Sequence, residues 1–99
     1  MDGLIKYDFI SRMWQDASVG GWHFLSLPED ISSEIRKNLQ WQEEGWGRMK
    51  ATASIKNCQW KTAIWFDTKK GTYILPVKKE IRTKAQLITG NDLEVSVWV

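Results

Sequence analysis

The sequence predicts a mainly β protein with two short helices, folded as a six-stranded, pseudo-twofold β-barrel. Its 99 residues, 42% hydrophobic and 26% charged, have the composition of one small globular domain. Stretches of alternating apolar and polar residues, typical of strands with one buried face, are separated by two short helical segments. The order of these elements occurs twice. We therefore expect a single domain over residues 1–99, with halves at about 1–56 and 57–99.

The first half begins with a predicted hairpin. Residues 4–14 are rich in strand formers, and residues 22–27 follow a loop of turn-forming residues. Pro28 suits the first turn of a helix, and apolar residues recur at four-residue spacing over 31–39. Because such spacing makes one apolar stripe, we expect a short helix here that ends near Lys37.

A second hairpin links the two halves. Apolar residues alternate with polar and basic ones over 46–56, which predicts a strand with one buried face. A two-residue turn at 57–58 would give the facing residues of this strand and the next a matching chemical character. That register places Trp65 on the outer face beside Lys50, with Ala63 on the same side.

The second half repeats the first. Leu75-Pro76 leads to Ile81-Arg82 as Leu27-Pro28 leads to Ile35-Arg36, and Gly90 is expected to supply a positive φ before the last strand. Two halves that cannot cover their own sheet edges can bury them against each other in a closed barrel. The predicted elements are a strand from residue 60, a turn at 68–71, a strand at 72–75, a helical turn at 76–84 around Ile81, and a strand at 93–99.

Four stretches of the chain resemble a known family. Residues 73–82 and 87–95 resemble the "y-x-LP-x-x-k-x-x-R" and "l-x-x-GD-x-v-x-v" signature of domain-of-unknown-function family 1905. Residues 21–28 resemble the "g-W-x-F-v-x-LP" motif of that family, and residues 60–64 resemble its "f-x-T-S-l" strand. Asn91 interrupts the usual Gly-Asp pair, and Ala63 stands at a usual Ser. The signature residues are Trp22, Leu27, Pro28, Leu75, Pro76, Arg82, Gly90 and Asp92.

This resemblance implies a double-split β-barrel, distantly similar to the DNA-binding barrels of AbrB-like and MazE-like regulators. Those regulators are dimers, whereas both halves here lie in one chain. We therefore expect a monomer and leave a dimer open. The resemblance implies no activity, because the family has none assigned.

Positive charge is concentrated in the middle of the chain. Residues 1–47 carry a net charge of −4, residues 48–84 of +8 and residues 85–99 of −2. A basic segment attracts nucleic acid if the fold gathers it on one face, and is otherwise a solvated surface. We expect Asp67 to neutralise Arg48. The candidate anion-binding or nucleic-acid-binding residues are Arg48, Lys50, Lys61, Trp65, Lys69, Lys70, Lys78, Lys79, Arg82 and Lys84.

Seven tryptophans are the most unusual feature of the composition. We expect most of them in the core, with Trp22 and Trp60 pointing inward. For Trp65 two interpretations stay open, stacking on a base or sugar and packing under a helix or loop. An alternative function is a protein-interaction or structural accessory domain whose surface includes Trp65 and Trp41, and another is a small-molecule-binding barrel.

No residue pattern indicates an enzyme. His23 and Cys58 are each the only residue of their type, and we interpret the pairs Glu29-Asp30 and Glu43-Glu44 as helix-end charge and loop solvation. We expect no cofactor and no metal. The start of the chain lacks an export pattern and no long apolar run occurs, so we expect a cytoplasmic protein without a membrane span. The sequence thus predicts a small non-catalytic binding module.

Overall fold

The computed structural model describes residues 5–99, which form a closed antiparallel β-barrel with two helices. The elements are the strands β1 (Lys6–Gln15), β2 (His23–Ser26), β3 (Arg48–Ile55), β4 (Cys58–Asp67), β5 (Thr72–Pro76) and β6 (Asp92–Trp98), the helices α1 (Glu29–Leu39) and α2 (Lys79–Lys84), and the short 3₁₀ turns Val19–Gly21 and Gln40–Gln42. None of the helices in the described residues is long and apolar enough to cross a membrane.

The strand order around the barrel is β1-β2-β5-β4-β3-β6. Exchanging the two halves leaves this order unchanged, because β2 pairs with β5 and β3 pairs with β6. Leu25 lies opposite Leu75 in the first of these pairings and Ala53 opposite Val97 in the second. The sequence-based prediction of a mainly β, six-stranded barrel with two short helices is confirmed.

Aliphatic side chains fill the barrel. Leu25, Ile64, Leu75 and Val97 are fully buried, and Ile35 of α1 belongs to the same cluster. The expectation that most tryptophans lie in the core is wrong, because all seven are described and only Trp60, 8% exposed, is buried. Close packing of a small barrel leaves little interior volume for many indole rings.

The β3–β4 hairpin turns one residue earlier than predicted. Lys56 and Asn57 both have positive φ, at 48° and 65°, which is the type I′ geometry that matches strand twist. Arg48 therefore lies opposite Trp65, and the predicted pairing of Lys50 with Trp65 is wrong. Because moving the turn by one residue changes each pairing by two, every side chain keeps its predicted face.

The face of β2 is the reverse of the prediction. Met13 of β1 lies opposite Leu25, and both are buried, which directs Trp14 and Phe24 to the outer face. Trp22 precedes the strand and is 58% exposed, so its predicted inward position is wrong. The apolar side chains on both faces of this short strand gave no alternation to decide between them.

Both helices differ from prediction by a few residues at one end. The first runs two residues beyond Lys37, to Leu39, which is buried. Pro76 does not begin the second helix because it stays in β5 opposite Phe24, and α2 begins at Lys79. Gly90 has φ +92°, as predicted, and its N–H donates to Met13 at 3.1 Å.

Candidate functional site

The barrel is closed, but β4 and β5 pair only at one end, which leaves a split between them. Strand β4 pairs with β3 along its length but with β5 only through Trp65, Phe66 and Asp67. Beyond that point Pro76 has no N–H to extend the ladder, and the chain turns away toward α2. Trp60 of β4 lines this split together with Lys78, which directly precedes α2, and Arg82 within it.

Two connected hollows occupy this split and the adjoining outer face. The cavity has a volume of about 350 Å³ and lies between Trp22, Trp60, Lys78 and Arg82. The groove has a volume of about 680 Å³ and continues over the outer face of β3 and β4. They adjoin each other, since four residues line both. The shared residues are Trp22, Lys61, Thr62 and Pro76.

Buried small residues and exposed tryptophans shape the groove. Ala63 is buried, Trp22 and Trp65 are exposed, and all three line the groove. Trp65 is 37% exposed, with the Arg48 guanidinium 5.9 Å from its ring centre. This arrangement leaves aromatic surface open for a flat ligand.

The Trp22 ring is held in place by its neighbours. It stacks on Phe24, with ring centres 6.1 Å apart and planes 20° apart. Gly20 lies beside the pyrrole part of the ring, since a Cβ at Gly20 would come within 3.1 Å of Cδ1 and Nε1 of Trp22. Only a glycine tolerates both that contact and the local φ of +82°.

The lining of the two hollows is cationic. Among the described residues no acidic side chain lines either of them, and five basic side chains do. Acids outside the lining reach some of these cations: Glu44 contacts Arg48 at 2.6 Å, and Glu80 contacts Lys78 at 3.9 Å. The basic lining residues are Arg48, Lys50, Lys61, Lys78 and Arg82.

The structure brings six of the ten sequence-predicted binding residues together. They are the five basic lining residues and Trp65. Lys69, Lys70, Lys79 and Lys84 line neither hollow, and the Lys70 ammonium lies instead 4.6 Å from the ring of Trp14.

Asp67 does not neutralise Arg48, contrary to the expectation from the predicted register. The partner of Arg48 is Glu44, four residues earlier across a tight loop. Asp67 instead accepts the backbone N–H groups of Lys69 and Lys70, at 2.9 and 3.2 Å, and so holds the β4–β5 turn.

Arg82 is fixed at the inner end of the cavity. Its Nε donates to the carbonyl of Val77 at 3.2 Å, and its Nη1 lies 3.3 Å from Nε2 of His23. Because arginine can only donate, a hydrogen bond between the two side chains requires Nε2 of His23 as the acceptor. The Nδ1 atom of His23 is buried and has no hydrogen-bond partner among the described residues.

Other candidate groups take structural positions. Glu43, interpreted from sequence as loop solvation, is largely buried and accepts the Tyr73 hydroxyl, with the Arg36 Nε at 3.7 Å. Cys58 is not at the hairpin tip but opens β4, half-buried. Within residues 5–99 no three His, Cys, Asp or Glu side chains converge in a way that could hold a metal ion.

Sequence reasoning missed Trp22, Trp60 and Pro76 as lining residues. The first two had been assigned to the core, and Pro76 to the start of a helix. One local signal was present in the paired Gly20 and Gly21, which come directly before an aromatic residue and permit close backbone approach.

A family model described as "Domain of unknown function (DUF1905)" matches residues 9–97, which is nearly the whole chain. The chain belongs to this family. All the residues that line the cavity lie within the matched region of this DUF1905 domain. No curated protein matches the chain. The description of the family assigns no activity, and a shared fold does not by itself determine function.

Proposed function

We propose that this DUF1905 domain is a non-catalytic module that binds single-stranded nucleic acid in the groove. One observation carries the proposal: Trp22 and Trp65, which are 58% and 37% exposed, line the groove, and five basic side chains line the groove and the adjoining cavity. Nucleic acid carries flat aromatic bases and a regular row of negative charges, and both features match this lining.

A single strand fits the groove better than a duplex does. Bases in a duplex are stacked on one another, so their faces are not accessible to Trp22 or Trp65. Single-strand-binding proteins combine a positive groove with aromatic side chains on which bases stack. The resemblance of the sequence to barrels that bind DNA supports a nucleic-acid ligand, although those barrels act as dimers.

Fluorescence anisotropy of labelled oligonucleotides tests the proposal. We expect a single strand to bind more tightly than a duplex of the same sequence. The logarithm of the binding constant should fall linearly with the logarithm of salt concentration, with a slope no steeper than about −3.5 if all five cations contact phosphates. Absence of binding at low salt would contradict the proposal.

Lys50→Ala should weaken binding by about fivefold at 0.1 M salt and flatten the salt slope by about 0.7, because one phosphate contact is lost. Lys69→Ala is the matched control, since it removes the same charge outside both hollows. Equal losses in the two variants would show that net charge, rather than the groove, determines affinity.

Glu44→Gln should strengthen binding a few-fold. The Glu44 carboxylate lies 2.6 Å from Nη1 of Arg48 and 3.9 Å from Nζ of Lys50, so it competes with phosphate for both cations. The same anisotropy titration measures the gain. Glu94→Gln on β6 is the control. Glu80→Gln is unsuitable as a control because Glu80 contacts Lys78, which lines the cavity. Unchanged or weaker binding by Glu44→Gln would argue against phosphate contacts at this end of the groove.

A second candidate function is protein interaction. Trp41 and Trp46 are 78% and 94% exposed, and aromatic residues of this kind dominate the energy of protein interfaces. Neither residue lines the groove or the cavity. The double variant Trp41→Ala, Trp46→Ala should therefore bind oligonucleotides as the parent does and lose a protein partner that the parent retains. Loss of oligonucleotide binding in this variant would show that nucleic acid binds near Trp41 and Trp46 and would contradict binding in the groove.

A further inference from the structure

The cavity combines an apolar wall with three cationic side chains in a small volume. Its apolar side is formed by Trp60 and Val77, with Trp22 at the boundary with the groove. Lys61, Lys78 and Arg82 contribute three positive charges to a space of about 350 Å³. That volume is near the lower end of the roughly 300–1,000 Å³ typical of small-ligand sites, so the cavity suits one nucleotide and not a longer segment.

Arg82 is oriented before any ligand arrives. The contacts to Val77 and His23 use two of the five N–H groups of its guanidinium, and three remain for an anion. A guanidinium presents these donors as a planar fork that matches two oxygens of one phosphate. Because the fork is already held, little side-chain entropy is lost when an anion binds.

Three cations in one small cavity match a terminal phosphate better than an internal one. A phosphate monoester carries about 1.5 to 2 negative charges at neutral pH and has three acceptor oxygens. An internal phosphodiester carries a single charge and has two free oxygens. Charge and donor number therefore favour a strand end that bears a phosphate.

We propose that the cavity binds the terminal, phosphate-bearing nucleotide of a strand that lies in the groove. The phosphate contacts Arg82 and Lys78, and the base lies against the indole of Trp22. The two hollows adjoin at Trp22 and Pro76, so one strand can reach from the groove into the cavity. This inference rests on the proposed function, and it adds a specificity for strand ends.

The test compares octathymidylates with a 5′-phosphate, with a 3′-phosphate, or with hydroxyl groups at both ends, each labelled on an internal base. One of the two phosphorylated strands, 5′ or 3′, should bind about tenfold more tightly than the hydroxyl-ended strand. Arg82→Gln should weaken the hydroxyl-ended strand by about fivefold at 0.1 M salt, the loss of one phosphate contact, and should in addition remove the gain from the terminal phosphate. Lys84→Gln, on the same helix but outside the cavity, should preserve the gain. Equal affinity for all three strands, or a gain that survives Arg82→Gln, would overturn the inference.

A second variant keeps the test decisive if Arg82→Gln lowers the melting temperature. Lys78 has a well-exposed side chain, so Lys78→Gln removes a cavity charge with little effect on folding. It should reduce the gain from the terminal phosphate several-fold. If a folded Lys78→Gln protein keeps the full gain in affinity from the terminal phosphate, the phosphate does not bind in the cavity.

Adenosine monophosphate separates failure of this inference from failure of the proposed function. If no oligonucleotide binds, the proposed function fails. If adenosine monophosphate then quenches tryptophan fluorescence in the parent protein but not in Lys78→Gln, the cavity is a site for a free nucleotide. If neither oligonucleotides nor adenosine monophosphate bind, the cavity assignment fails as well.

Discussion

Trp22→Ala is expected to weaken the binding of a single-stranded oligonucleotide by about 5- to 150-fold. This range corresponds to the roughly 1–3 kcal/mol that one base gains by stacking on an aromatic ring. Trp22 lines both the cavity and the groove, and its ring is held by Phe24 and by the backbone of Gly20. A ring held in this way is available for stacking without further loss of conformational entropy.

Two comparisons make the Trp22 result specific. Trp22→Phe retains an aromatic face and should lose less affinity than Trp22→Ala. Trp46→Ala removes a more exposed indole outside both hollows and should leave affinity unchanged. Because Trp22 is 58% exposed, its replacement should change the melting temperature little. Equal affinities of Trp22→Ala and the parent protein would contradict the assignment of this ring to the binding surface.

Tyr73→Ala is expected to lower the free energy of unfolding by about 3–5 kcal/mol, as for the truncation of a buried phenylalanine. A domain of this size has about 5–15 kcal/mol in total, so the variant should lose a large share of its stability. Tyr73 is fully buried and is the largest side chain of the core with no exposure. Urea unfolding followed by circular dichroism measures the loss.

Tyr73 also joins four parts of the fold. Its ring meets Phe66 of β4 edge to face at 5.1 Å, and its N–H donates to the hydroxyl of Ser32 in α1 at 3.0 Å. Its own hydroxyl donates to Glu43, in the connection that follows α1. Burial and this hydrogen bond raise the pKa of Tyr73 above the usual value for tyrosine, since both disfavour the charged form. Truncation thus removes packing and contacts between elements together.

Tyr73→Phe separates the ring from the hydroxyl. It keeps the packing against Phe66, and the carboxylate of Glu43 retains Arg36 as a partner, at 3.7 Å. The loss should therefore be about 1–3 kcal/mol, the cost of disturbing one buried hydrogen bond to a charged group. A loss in Tyr73→Phe as large as that in Tyr73→Ala would show that the hydroxyl network, rather than ring packing, holds this region.

Local patterns were sufficient where one face of an element was clearly apolar. The strand β3 shows this, since Met49 and Ile55 are buried as its alternation predicted. The stripe of α1 placed Ile35 in the core for the same reason. In β2 apolar residues occupy both faces, and only the pairing of Met13 with Leu25 decides which of them points inward.

The candidate site was partly predictable. Charge distribution along the chain singled out the segment that supplies Lys50, Lys61 and Arg82, because a run of like charges is visible in one dimension. The same count could not separate Lys61 from Lys69, which is only eight residues away and lies outside both hollows. Which charges converge depends on strand pairing and on the point where β5 leaves β4.

The sequence by itself determined the strands, the two helices and the twofold arrangement of elements, because hydrophobic periodicity and turn residues act over short distances. Only the tertiary structure decided the binding surface. Closure of the barrel filled the interior with aliphatic side chains and left Trp22 outside, in the same groove as Trp65 and basic residues. These residues are far apart in the chain, so the register between strands, set by packing of the whole core, brings them together.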